Sequence, residues 1–561
     1  MAKTTHKKAK ARAASSRKKT DAAAAGNKIR PATATSTTAG SGQHAAPAGV
    51  QALIDPDAPI DKVSIRMYCL GTGDCFLIRF YHEETLKFTM MIDCGSCRGN
   101  PKAFRPYVQH LANEVRNNID LLVITHEHND HVNGFYKCAD IFAQMTIGEA
   151  WFAWTEDRDD PTGAAKELLQ KRSGMRKALD KAIKSIKASN RKLSGKLNSE
   201  FYARDMMLNN GSYLNGLHTL ARINLDGYDT DEKAAAPTAN KPPAGTQAAP
   251  EPENSLPGMT AIKKILKDKG VKVRYLTPGD SRQIERATGI KFHILGPPME
   301  RAYVFKNGKE GVDVYKKKLA LYESSLAANA FLNMDNTTMS DCPFQPQFVV
   351  SGNTKNTPCQ QVIDAYEHRN NNWRRIDDDW LMSAGSLALR LNSHINNTSL
   401  ALAIEMPGKQ VLLFPGDAEY GSWASWHEIE KWKPKKAGEK HFVEDLLNRT
   451  VFYKVGHHLS YNGTALQKGI AMMESEQLAA MATLDLDRIS EGWKKTMPNQ
   501  FLMQELIRKC KGKFFLMNET GVDNAPTHTY PIAALKEGIY SVEHFDQTEN
   551  PIFHQYNCRI K

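Results

Sequence analysis

Short apolar runs that stop abruptly at polar or glycine residues punctuate this chain. Met90-Met91-Ile92 stops at Asp93-Cys94-Gly95, and Leu121-Leu122-Val123-Ile124 stops at Thr125-His126. Val411-Leu412-Leu413-Phe414 stops at Pro415-Gly416-Asp417, and Val451-Phe452-Tyr453 stops at Lys454, followed by Gly456-His457-His458. Apolar runs without alternation are the pattern of strands buried on both faces. From Val63 to Ile92 the alternation predicts two strands joined by a polar turn at His82-Glu83-Glu84. Leu111 to Asn117 reads as helical, and a further helix is expected after Pro498. Met175, Leu179, Ile183, Ile186 and Leu193 fall near helical spacing, which predicts an amphipathic basic helix over 164–197 with a cationic outer face. Strands interleaved with helices give an α/β class.

Two stretches break this pattern. The first, 150–257, holds the basic helix and then an Ala/Pro-rich linker at 229–257. The second, 300–383, separates the apolar run that ends at Gly296-Pro297-Pro298 from Ser386-Leu387-Ala388-Leu389. The expected organisation is a disordered basic tail at 1–55, a main domain at 60–545 interrupted by both insertions, and a C-terminal tail at 546–561.

Charge refines the picture. The net charge is +12 over 561 residues, but residues 1–50 carry ten Lys or Arg against Asp21 alone. A second concentration, from Lys166 to Lys196, carries eleven Lys or Arg against Glu167 and Asp180. The tail has too little apolar surface to fold, and both segments have the charge to meet a polyanion such as nucleic acid. No run approaches the roughly 18 apolar residues of a spanning helix. No apolar stretch follows the basic N-terminus, so a cytoplasmic location is expected rather than export. The nine cysteines lack paired spacing, Cys94 and Cys97 being the one close pair, and all are read as reduced.

Candidate chemistry concentrates at the strand ends. Thr125-His126-Glu127-His128-Asn129-Asp130-His131 packs three imidazoles and two carboxylates behind a buried strand, a donor set suited to transition metals. Its H-x-H puts two rings on one side of the turn, and the following D-H can face a second cation. These residues resemble the signature of the metallo-β-lactamase fold superfamily, whose members are mostly metal-dependent hydrolases. Asp93, Asp417 and the His457-His458 pair stand where that family places its other motifs. Cys69-Leu70-Gly71-Thr72-Gly73-Asp74-Cys75 and Lys454 to Ser460 are similar to two motifs of its soluble ComEC-like subgroup. Thr72 and Leu459 depart from that subgroup's Gln and Gly.

The resemblance implies a four-layer αββα metallo-β-lactamase-like sandwich carrying the two insertions. It implies two divalent ions, Zn or Mn: His126 and His128 on the first, Asp130, His131 and His457 (alternatively His458) on the second, with Asp417 bridging. Asp130, Asp417, Asp93, His458 and Lys454 are the expected catalytic residues, Asp93 supporting the site without binding metal. No His matches the family's third motif, where the region reads Ser393-His394-Ile395-Asn396-Asn397. Asn396, Asn397, His394 and Asp74 are therefore candidates for metal contact or support, and an amide ligand would favour Mn. Arg374 and Arg375 are candidate substrate contacts. The expected activity is hydrolysis by a metal-bound hydroxide, most simply of a phosphodiester such as nucleic acid. The competing expectations are a small-molecule ester, thioester or lactam hydrolase, and a nonenzymatic binding protein on the same fold.

Overall fold

The computed structural model describes residues 58–97, 100–188, 217, 220–225, 255–315, 358–368, 379–436, 438–486, 489, 497–518, 538–545 and 551–560. The basic tail at 1–55, nearly all of the Ala/Pro-rich linker, Arg374 and Arg375 lie outside these residues.

Fifteen strands among the described residues form two mixed sheets. The first has the order β14-β15-β1-β2-β3-β4-β5-β6 and the second β13-β12-β11-β10-β9-β8-β7, where β7 is Ser281–Arg282. In the first, β1 (Lys62–Tyr68), β2 (Phe76–His82) and β3 (Thr85–Ile92) run antiparallel; β4 (Asn118–Ile124), β5 (Thr146–Ala153) and β6 (Lys272–Leu276) then continue parallel to β3. In the second, β8 (Lys291–Gly296), β9 (Ala401–Glu405) and β10 (Val411–Phe414) are antiparallel neighbours. From β10 onward, β11 (Thr450–Lys454), β12 (Ala479–Asp485) and β13 (Phe514–Asn518) run parallel.

The second sheet divides its side chains with period two. Leu402 and Ile404, Leu412 and Phe414, and Ala479 and Met481 join one apolar cluster that also holds residues of the first sheet. Their neighbours Ala401 and Ala403, Val411 and Leu413, and Ala480 and Ala482 join a second cluster on the opposite face. Both faces are thus apolar, as the unbroken runs predicted. Contacts such as Phe76 with Phe414 and Trp151 with Phe292, at ring separations of 5.8 and 5.2 Å, pack the two sheets face to face. Helix α1 (Pro101–Glu114) covers the outer face of the first sheet, where Glu114 pairs with Arg66 at 2.7 Å. Helices Tyr420–Trp426, Phe442–Asn448 and Gln500–Cys510 bury apolar residues in the second sheet's outer cluster. The result is an α/β sandwich.

Several expected boundaries move. Val63 to Ile92 forms three strands, because Gly71-Thr72-Gly73-Asp74 turns the chain between β1 and β2 and the Glu83-Glu84 turn follows β2. Residue 150 lies inside β5, residue 257 opens the helix Pro257–Asp268, and residue 383 lies inside the helix Asp379–Asn396. Residues 551–559 are no tail: β15 (Pro551–Arg559) pairs with both β1 and β14 (Tyr540–His544), burying Phe553 and Tyr556. The basic helix spans Ala164–Ala188 among the described residues. Met175, Leu179 and Ile183 are buried as expected, but its cations are not all outward. Arg172 is fully enclosed and reaches Glu127 Oε1 at 2.7 Å and Glu156 Oε1 at 3.0 Å.

Candidate metal centre

The predicted strand ends converge. Asp93 follows β3, the His-rich loop follows β4 and opens helix α2 (Asn129–Lys137), Asp417 follows β10, and His457-His458 follow β11. All four strands belong to the parallel parts of their sheets, whose carboxyl ends are the usual place for a site. Gly95 lets these loops meet: a Cβ there would fall 2.3 Å from the backbone of Asp130 and His131. The Asp93-Cys94-Gly95 turn therefore packs directly on the His-rich loop.

Four imidazoles turn one nitrogen inward and anchor the other. His126 Nδ1 lies 3.1 Å from Thr125 Oγ1 and 3.2 Å from Ser399 Oγ. His128 Nε2 lies 3.1 Å from Asn224 Oδ1, His131 Nδ1 2.8 Å from Asp93 Oδ2, and His458 Nδ1 2.8 Å from Thr483 Oγ1. The two threonines give their own hydrogens to carboxylates: Thr125 Oγ1 donates to Asp93 at 2.5 Å and Thr483 Oγ1 to Asp74 at 2.7 Å. Ser399 Oγ already accepts from the Asp417 backbone N–H at 3.1 Å. Each back nitrogen therefore has an acceptor and carries a ring hydrogen; in His126 and His128, which burial keeps neutral, the opposite nitrogen is bare.

The inward nitrogens form two groups. His126 Nε2 and His128 Nδ1 face each other at 3.0 Å. His131 Nε2 lies 3.1 Å from Asp417 Oδ2, and His458 Nε2 lies 3.2 Å from Asp417 Oδ2 and 3.3 Å from Asp130 Oδ2. Asp74, His131, Asp417 and His458 also form a buried group compact enough to hold one metal ion. Of the two carboxylates beside His131 and His458, Asp130 is the better ligand. Asp74 lies behind the rings, 3.7 and 3.9 Å from their Nδ1 atoms, and Thr483 and Lys454 already occupy its oxygens. Asp130 faces an Nε2, and its Oδ1 has no hydrogen-bond partner among the described residues.

The electrostatics fit cation binding. Burial holds His128 down at about 4, and burial with the neighbouring imidazoles holds His126 well below its usual range. Burial opposes charge on His131 and His458 too, but Asp417 outweighs it, raising His131 well above its usual range and His458 to about 9. For Asp130, burial is overcome by the hydrogen bond from His458 and the charge of His131, which hold its carboxyl at about 2. The residues thus fit two ions: a pair of lone pairs face each other with no hydrogen between them, and a second group mixes two imidazoles with two carboxylates.

Four expectations change at this site. Of His457 and its alternative His458, it is His458 that faces Asp130 and Asp417, because His457, His458 and Leu459 are three consecutive residues with positive φ (45°, 48° and 65°). This turn sends His457 away to Glu419 Oε1 at 3.5 Å and Asn396 Nδ2 at 3.3 Å. It also explains the glycine that the ComEC-like motif has where Leu459 stands, for the left-handed region suits glycine. His394, a candidate for metal contact, is on the helix Asp379–Asn396, buried and stacked on Phe305 at 4.6 Å. Asn397 is committed to structure, its Oδ1 accepting the N–H groups of Glu419 and Ser422. Asn396 keeps a buried Oδ1 without a hydrogen-bond partner among the described residues.

Lys454, expected among the catalytic residues, is fully enclosed. Its Nζ donates to Asp74 Oδ2 at 2.5 Å and to Asp417 Oδ1 and Gly416 O at 2.9 Å, so it positions Asp417 and has no donor left for a substrate. Asp93 likewise acts through His131 and Thr125. The supporting residues Ser399, Thr483, Glu419, Arg172 and Asn224 were not singled out in the sequence. Ser399 lies two residues beyond the candidate Asn397 and was within reach, whereas the others carry no local signal.

Among known proteins, the family model "Anti-Pycsar protein Apyc1" matches residues 65–145. A relative of that name from Paenibacillus sp. (strain J14) is 32% identical over 81 residues, which are 14% of this chain. The matched stretch spans 30% of that relative's length. No solved structure matches the chain. The shared segment contains Asp74, Asp93, His126, His128, Asp130 and His131 and ends before Asp417, Lys454 and His458. The chain is thus similar to the Anti-Pycsar protein Apyc1 family over the half of the centre built on β3 and β4.

Proposed function

We propose that this chain is a metal-dependent hydrolase of phosphodiesters on a metallo-β-lactamase-like sandwich. The observation that carries the reading is the orientation of the four imidazoles, each back nitrogen bonded to an acceptor and each front nitrogen turned to the centre. That arrangement is how proteins prepare histidines for metal. His126 Nε2 and His128 Nδ1 would hold one divalent ion, Zn or Mn. Asp130, His131 and His458 would hold the other, with Asp417 between them. Two such ions, when bound, would supply a nucleophile at neutral pH by lowering the pKa of water to about 7 and would stabilise both oxygens of an in-line displacement.

The chain's own groups do the rest. Lys454 and the His457 N–H, 2.9 and 3.1 Å from Asp417 Oδ1, leave Oδ2 free to face the centre. Asp93 holds His131 and Thr483 holds His458. The exposed lysines of the basic helix, Lys166, Lys171, Lys177 and Lys184, supply positive charge suited to a phosphodiester chain.

The test uses chelator-stripped protein, re-metallated in turn with Mn, Zn and Mg. Hydrolysis of bis-p-nitrophenyl phosphate and of single- and double-stranded DNA is then followed. Metal-dependent cleavage that His128→Ala and Asp417→Ala each reduce by 100-fold or more is the expected result. Inactivity on all three substrates at full metal occupancy would sink the phosphodiesterase reading and point to a small-molecule substrate. Unchanged turnover in either variant would sink the site.

A further inference from the structure

The His-rich loop is gripped from outside the two-sheet core. Glu127 Oε1 is held by Arg172 Nη1 at 2.7 Å and Arg176 Nη2 at 2.6 Å. Asn129 Nδ2 donates to the carbonyls of Arg222 and Leu225 at 2.6 and 3.0 Å. Between these two residues, His128 Nε2 meets Asn224 Oδ1 at 3.1 Å. Every one of these partners comes from 164–225, the segment that interrupts the strand pattern. Three consecutive residues of the His-rich loop are therefore anchored by chain that supplies no strand to either sheet among the described residues.

Asn224 is the informative contact. Its Nδ2 donates to Leu220 O at 2.9 Å and to Asn392 Oδ1 at 3.3 Å, so the atom facing His128 is the amide oxygen. Arg176 Nε fixes the Asn224 backbone by donating to its carbonyl at 3.0 Å. A carbonyl oxygen only accepts, so His128 must carry its hydrogen on Nε2 to satisfy this contact.

Two acceptors compete for that single hydrogen. Asn224 Oδ1 lies on the Nε2 side, and His126 Nε2 lies 3.0 Å away on the Nδ1 side. His126 Nε2 is itself bare, since the hydrogen of that ring points to Thr125 and Ser399. If Asn224 lost its oxygen, the buried Nε2–H of His128 would have no acceptor. The hydrogen would then move to Nδ1 and bond to His126. The lone pair needed for a cation would be consumed by the neighbouring ligand.

We propose that Asn224, supplied by the insertion, is the positioning residue that completes the first cation site by fixing His128 in its Nε2–H tautomer. The inference rests on the dinuclear reading above and adds a role for the insertion: the segment that carries Asn224 must be docked before His126 and His128 can share an ion. For the other three rings the back acceptors come from residues within or beside the core strands: Thr125, Ser399, Asp93 and Thr483. The first site alone depends on a residue outside the sandwich.

The test compares the full chain with Asn224→Leu, which removes the acceptor, and Asn224→Asp, which keeps an oxygen at His128 but loses the donors to Leu220 and Asn392. Bound Mn and Zn are counted by mass spectrometry after equilibration against a competing chelator. The His128 tautomer is read in metal-free, 15N-histidine-labelled protein, with His128→Gln assigning the signal. Wild type and Asn224→Asp should hold two ions and show Nε2–H. Asn224→Leu should keep one ion, hold the second about 10–100-fold more weakly, and show Nδ1–H. Two ions held equally tightly by wild type and Asn224→Leu would overturn the inference and leave the proposed function standing. Equal weakening in the Asp and Leu variants would also overturn it, because that is what loss of the amide's bonds to Leu220 and Asn392 would produce. A wild type that takes fewer than two ions would bring down the dinuclear reading and the inference together.

Discussion

Replacing Lys454 by Met removes the ammonium that sits between Asp74 and Asp417 and keeps the length of the chain. Stripping one partner from a buried ion pair costs about 3–5 kcal/mol, because the remaining charge is left without compensation. Asp417 retains His131 and His458 at 3.1 and 3.2 Å and the His457 N–H at 3.1 Å. Asp74 retains the Thr483 hydroxyl at 2.7 Å. The low end applies, about 3 kcal/mol in metal-free protein.

A bound cation should offset part of that loss, since it supplies positive charge to the same Asp417. By linkage, any narrowing of the deficit equals a gain in metal affinity, with ~1.4 kcal/mol corresponding to tenfold. Urea unfolding of wild type and Lys454→Met, with and without saturating Zn or Mn, measures all four corners. The expected result is a deficit near 3 kcal/mol without metal that shrinks by ~1.4 kcal/mol or more with it. A metal-free loss below ~1 kcal/mol, or a deficit of the same size in both conditions, would refute the charge balance argued here.

Arg172→Met should cost about 3 kcal/mol on the same grounds, the low end again because Glu127 keeps Arg176 and Glu156 keeps Lys263 at 3.1 Å; a change in urea midpoint too small to resolve would mean that this buried network adds nothing. Leu459→Gly relieves about 1 kcal/mol of left-handed strain but loses a fully buried side chain worth about 2–5 kcal/mol, so the variant should be less stable, and a rise in the midpoint would show strain outweighing packing. The folded pKa of His458, about 9, is raised above its unfolded value of about 6.5. Its contribution to metal-free stability is therefore full below pH ~6.5 and lost as pH rises through about 9. Because a metal must displace that proton, and the one on His131 as well, affinity should climb at least about tenfold per pH unit over the same window, and a flat isotherm series between pH 6.5 and 9 would contradict the assignment.

The local chemistry was legible along the chain. Apolar runs ending in Asp, Gly or His gave the buried strands β3, β4, β10 and β11 and the residues Asp93, His126, His128, Asp130, His131 and Asp417, because a strand's burial and its sudden end are both written in contiguous residues. What lay beyond reach depended on residues far apart in sequence. Whether His457 or His458 enters the site is decided by three left-handed residues in a row, the last of which, Leu459, is buried in the core. That Lys454 is a buried counterion follows only when Asp74 from the β1–β2 turn arrives beside it. The stretch at 551–559 looked like a tail because its apolar residues are spread out, and only pairing with β1 and β14 makes it a strand. The basic helix shows the same limit: its spacing fixed the buried face, but a carboxylate from another loop, Glu127, was needed to draw Arg172 inside. Charge partners and hydrogen-bond acceptors such as Asn224 are chosen by proximity in the fold, and a linear pattern carries no record of it.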